Sequence, residues 1–86
     1  MPFDTVYHWC AMNMVKLHFQ PFGVVKVIHT VAADGNYYTL VTKGQDVDPV
    51  RALTIAVVAM INDLEAVRKQ KATYEDILKQ RGEALG

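Results

Sequence analysis

The sequence has one cysteine, three prolines, no excess charge of either sign and no apolar run long enough to cross a bilayer. A single thiol, Cys10, cannot close an intramolecular disulfide, so packing alone must hold the fold and a reducing, cytoplasmic setting is expected. Nine Lys and Arg balance nine Asp and Glu. That balance removes the long-range field with which a nucleic-acid coat protein gathers its polyanion, leaving only local patches. The most apolar stretch, Ala52 to Ile61, is shorter than the roughly 20 residues of a membrane span and reads as a buried helix. No membrane partner is expected. The start, Met-Pro-Phe-Asp, lacks a basic leader, so no secretion signal is expected either. A chain of 86 residues has room for one core and buries only about 60 to 65% of its unfolded surface. One domain spanning 1–86, thinly stable as a monomer, follows.

Glycine and proline are absent from Val50 to Arg81. Over that span apolar residues recur at alternating spacings of three and four: Val50, Leu53, Val57, Met60, Leu64, Val67. The count continues through Lys71, Tyr74, Leu78, Arg81 and Leu85, so the helical region is expected over 48–82. Asp48 precedes Pro49 as an N-cap before a proline at the first helical position, and Gly82 ends the region. As one rod the helix would be roughly 45 to 50 Å long. Thr73, with Asp76 three residues on, instead resembles a capping box, so a break near Thr73 stays open beside the continuous reading. Glu65 with Lys69 and Glu75 with Lys79 are helical pairs in the favourable order.

The first half reads as an N-terminal segment, 1–14, followed by antiparallel strands over 15–43. Phe3, Tyr7, Cys10 and Met14 fit a helical stripe with Asp4 as cap, although Thr5 to Trp9 also suits a strand. From Val15 to Gln20 the pattern alternates strictly, with Val15, Leu17 and Phe19 on one face. Pro21 and Gly23 then mark a turn. Asp34-Gly35 is the pair a two-residue type I′ hairpin prefers, and a turn there sets position i against 69 minus i. Val25, Val27, His29 and Val31 then share the core face with Tyr38, Leu40 and Thr42. Lys26, Ile28, Thr30 and Ala32 share the outer face with Tyr37, Thr39, Val41 and Lys43. Gly44 and Gln45 are read as the turn that ends the sheet. The fold class is therefore α+β: an antiparallel sheet of about three strands packed on a long C-terminal helix.

Chemistry-bearing residues are few. His8, Cys10, His18 and His29 are the only nitrogen and sulfur ligands, and their spacing matches no metal motif. No metal, cofactor or catalytic residue is expected, and the chain is read as a non-enzyme. Arg68, Lys69 and Lys71, with Lys79 and Arg81, form the one local excess of positive charge. They are the candidate nucleic-acid contacts, with Lys26, Lys43 and Tyr37 as an accompanying surface, although Glu65, Glu75 and Asp76 interleave with them. The helix also carries more apolar circumference than one sheet face can cover, because Ile55, Val58 and Ile61 lie off the main stripe. A further surface is implied there. Ile55, Val58, Ile61, Tyr74 and Leu78 are the expected interface of a symmetric dimer.

The order Asp34-Gly35-Asn36-Tyr37-Tyr38, then Asp48-Pro49, then Ala52, Ala56 and Ala59 resembles the layout of small α+β proteins encoded by bacteriophages, including anti-CRISPR-type inhibitors. It covers about half the chain. The resemblance implies a stoichiometric binding protein that inhibits or adapts a larger protein partner. A nucleic-acid-binding regulator using the basic helix is the alternative.

Overall fold

In the computed structural model, residues 1–81 are described, and Gly82 and Leu85, expected to end and extend the last helix, lie outside the described residues. The elements run α1 (Phe3–Asn13), β1 (Lys16–Gln20), β2 (Val24–Ala33), β3 (Asn36–Gln45), α2 (Pro49–Arg68) and α3 (Tyr74–Gln80). The strands form one antiparallel sheet in the order β1-β2-β3. The class is α+β, but the long helix lies mid-chain and the last helix is short.

The β2–β3 hairpin closes on Asp34 and Gly35, with φ of 53° and 78°. Both central residues take the positive φ that a type I′ turn demands, and Ala33 faces Asn36, so the register follows from the turn. Val25, Val27, Leu40 and Thr42 are buried on the helix-covered face. Gly44 does not end the sheet. It sits within β3 opposite Val25, and a Cβ there would stand 2.8 Å from the Ala56 amide nitrogen and closer still to the Ala52 carbonyl oxygen. The glycine is there because a helix crosses it, and the backbone-to-backbone approach leaves no room for a side chain.

Helix α2 starts as its sequence dictates. The Asp48 side chain accepts from the Val50 N–H at 2.9 Å, and Pro49 occupies the first helical position. The helix has 20 residues, hence about 30 Å of length, and buries Ala52, Leu53, Ala56, Val57 and Met60 across β2 and β3. The Thr42 hydroxyl donates to the Ala56 carbonyl at 2.6 Å, which satisfies the one buried polar side chain of this interface.

The 45 to 50 Å rod does not form. Gln70 takes a left-handed φ of 60°, and the Lys71 N–H returns to the Ala66 carbonyl at 2.8 Å, closing α2. Thr73 and Asp76 then start α3 as a reciprocal capping box, with Asp76 N–H to Thr73 Oγ1 at 3.1 Å and Thr73 N–H to Asp76 Oδ2 at 3.0 Å. The bend folds α3 back so that Ile77 is buried and Tyr74 stacks on Tyr38 at 5.1 Å.

Segment 1–14 is helical, but its details differ from expectation. The cap is Pro2, whose carbonyl accepts from Thr5 and Val6, and Asp4 lies within the first turn. The buried stripe is Val6 and Cys10, while Phe3, Tyr7 and Met14 are exposed. Two small side chains let α1 lie close on α2, which large rings at the same positions would prevent.

Candidate interaction surface

Cross-strand partners share a face of a sheet, so the pairings Leu17 with Val27 and Phe19 with Val25 place all four on the helix-covered side. Their burial is very different. Val25 and Val27 are enclosed, whereas Leu17 is 38% and Phe19 59% exposed. The cause is the reach of α2, which packs across β3 and β2 while β1 packs chiefly on β2. The third strand of the core face is left as an apolar margin along the sheet edge.

The turn that follows continues this margin. Phe22 is 91% exposed and holds a φ of 66°, next to Gly23 at 72°. Gly23 is fixed by the Asp46 N–H, which donates to its carbonyl at 3.0 Å, and a Cβ on Gly23 would collide with the Asp46 carbonyl. A left-handed phenylalanine costs on the order of 1 kcal/mol or more, and this ring recovers almost nothing by burial within its own chain. Met14, before β1, is likewise left-handed at φ 50° and exposed.

A second apolar surface lies on the outside of α2. With about 100° per residue, Val58 points almost directly away from the buried stripe centred on Ala56 and Met60, and Ile55 lies on its flank. Ile55 is 47% and Val58 36% exposed. Ile61, Tyr74 and Leu78 are half-buried against the chain's own core. The expected interface set therefore divides into two outward-facing side chains and three already packed.

The basic residues do not converge. Arg68 pairs with Glu65 on the same helix, with Lys69 at 3.9 Å from the same carboxylate. The Arg81 guanidinium grips Asp63 through two bonds of 2.5 and 3.0 Å, tying α3 to α2. Lys71 follows α2 and Lys79 lies on α3, both exposed. The hydrogen bond from Arg68 holds the Glu65 carboxyl below its ordinary range. A different basic surface emerges on the outer face of the sheet: Lys16, His18, Lys26 and Lys43 share it, and no Asp or Glu occurs in any of the strands.

The nitrogen and sulfur groups are dispersed. Cys10 is buried, and burial raises its thiol pKa, which keeps it protonated. His29 sits on the core face with its ring 6.1 Å from that of Trp9, and burial lowers its pKa. Among the described residues no group of three or more His, Cys, Asp and Glu side chains is placed to hold a metal ion. A hollow of about 440 Å³ lies between the hairpin tip and the α2–α3 link, with Asp34, Tyr38 and Glu75 among its walls. Among the described residues no helix is long and apolar enough to cross a membrane. No protein-family model, curated protein or solved structure matches the chain.

Proposed function

We propose that this chain is a non-enzymatic protein-interaction module, a cytoplasmic dimer that inhibits or adapts a larger protein partner. The observation that supports it is the amount of apolar surface an isolated copy leaves in water: Leu17, Phe19 and Phe22 around the sheet edge, and Ile55 and Val58 on the back of α2. Large apolar side chains gathered on the surface of a small domain are the usual mark of a docking site. Two separate surfaces suit two partners, a second copy and a larger protein. The resemblance of the chain's order of elements to small phage-encoded inhibitors is in keeping with this role. The one thiol is buried and protonated, the opposite of an activated nucleophile.

Sedimentation equilibrium or light scattering across about 1 to 100 μM tests the dimer, the range in which a modest interface associates. A dimer is the expected result. A monodisperse monomer throughout would remove that part of the proposal.

A second reading, a nucleic-acid-binding regulator, draws on the outer sheet face, where Lys16, His18, Lys26 and Lys43 gather and the exposed ring of Tyr37 lies further along the same face, towards the hairpin tip. Single strands bind such surfaces by phosphate contact and ring stacking. Its signature is a mobility shift of labelled RNA or DNA that weakens steeply with salt and is lost in Lys26→Glu/Lys43→Glu.

A further inference from the structure

We infer that the second copy docks on β1, pairing antiparallel with its own symmetry mate about a two-fold axis at His18, so that two three-stranded sheets become one. This rests on the dimeric reading above and specifies its interface.

Symmetric positions on either side of His18 match one another. Leu17 and Phe19, one residue either side, are the two uncovered apolar side chains of the core face. Pairing about His18 sets Leu17 against Phe19 of the mate, and Phe19 against its Leu17, on the same side of the sheet as the helices. Lys16 then faces Gln20 of the mate, so no lysine opposes another across the new ladder. Met14 and Phe22, four residues either side of His18, are both left-handed and both largely exposed. Both lie just outside the five-residue strand, so each end of the new ladder is flanked by exposed apolar side chains of the two copies. All five strand residues find a partner in this arrangement.

Other registers and other edges do less. A shift by one residue would set the apolar face of one copy against the polar face of the other. Pairing of β1 with β3 of another copy would be head-to-tail, and unless its rotation closes into a ring it builds fibres. On β3 the helix-side residues Leu40, Thr42 and Gly44 are already covered by α2. Net charge of zero leaves no overall repulsion between copies. At about 200 Å² per ring, Phe19 and Phe22 from both copies expose roughly 600 Å² of aromatic surface. That is about two thirds of the apolar area in a standard interface.

Oxidative cross-linking of His18→Cys tests the axis, because opposed residues of an antiparallel pair lie about 4.5 to 5.5 Å apart at Cα, within disulfide reach. A covalent dimer under a mild oxidant is expected, with none from Thr39→Cys, an exposed position on the central part of β3. Phe19→Asp should weaken dimerisation at least about 30-fold by sedimentation. Its unchanged far-UV circular dichroism would show that the chain still folds. A wild-type dimer that persists in Phe19→Asp, or whose His18→Cys variant fails to cross-link, overturns the edge pairing and leaves the dimeric module intact. A wild-type monomer overturns both.

Discussion

Replacing Gly44 by alanine should be strongly destabilising for the addition of a single methyl group. The added Cβ would meet not a yielding side chain but the backbone of α2, at the Ala52 carbonyl and 2.8 Å from the Ala56 amide nitrogen. Neither group can move without its helix, so relief requires α2 to rise from the sheet by roughly an ångström, and a gap of that size forfeits up to about half of each dispersion contact it opens. The contacts at stake join Ala52, Ala56, Val57 and Met60 to Val25, Val27 and Leu40, all fully or almost fully buried. Overpacking of a core costs about 1 to 3 kcal/mol, and this case belongs at or above the top of that range. Total stability for a chain of this size is on the order of 4 to 13 kcal/mol, so Gly44→Ala should lose a quarter or more of it and lower Tm by roughly 12 to 25 °C. Gly35→Ala is the informative control. Its Cβ would meet nothing within 4 Å, and its cost of about 1 to 2 kcal/mol comes from the φ of 78° alone. Urea unfolding of the two variants side by side decides the matter. A Gly44→Ala protein as stable as wild type, or less affected than Gly35→Ala, would refute the close crossing of α2 over β3.

The hydrogen bonds from Thr73 hold the Asp76 carboxyl below its ordinary range, so the capping box stabilises α3 above the unfolded carboxylate pKa of about 3.9 and is lost as pH falls through the lowered folded value. Thr73→Ala should cost about 1 kcal/mol and weaken the near-ultraviolet dichroism of the stacked Tyr38 and Tyr74 rings, and Asp76→Asn should flatten the acid-side loss in thermal melts. Burial lowers the His29 pKa, so between that value and the unfolded 6.5 the unfolded chain binds more protons. Stability should therefore fall as pH drops below about 6.5, with Trp9 fluorescence reporting the change, and His29→Gln should level the slope in that window. Cys10, buried with a raised pKa, should resist a thiol reagent at pH 8 at a rate set by opening of the fold, and react at once in denaturant; immediate labelling of the folded protein would contradict its place in the core.

Where chemistry is local, the sequence is legible. Asp34-Gly35 fixes the hairpin register, and Asp48-Pro49 fixes the start of α2, because each depends on residues in direct succession. The Thr73 box is equally local, yet the apolar count runs through it undisturbed. Both α2 and α3 press on the same core, so Val67, Tyr74 and Leu78 keep their spacing across a chain reversal that the spacing itself cannot register. Gly44 shows the reverse failure: its role lies in a helix that crosses it, and a glycine in a tight crossing looks like a glycine in a turn. The inward face of α1 lies beyond such reading for a related reason. Val6 and Cys10 face inward because α2 needs a close neighbour there, a demand that comes from another element.

Alternation along β1 groups Leu17 and Phe19 on one face, and the pairing with β2 makes that the core face, but periodicity reports which way a side chain points and is silent on whether anything covers it. Coverage depends on the width of α2. A helix is about 10 Å across with its side chains and sheet strands are about 4.8 Å apart, so one helix shelters two strands and reaches a third only at its margin. Seated over β2 and β3 by Gly44, α2 must leave β1 uncovered, and α3, folded back against β3, adds its bulk on the far side. The exposed edge is thus a consequence of where the glycine lets the helix sit. An element that brings its own strand and its own apolar pair is the simplest cover for it, and another β1 has both.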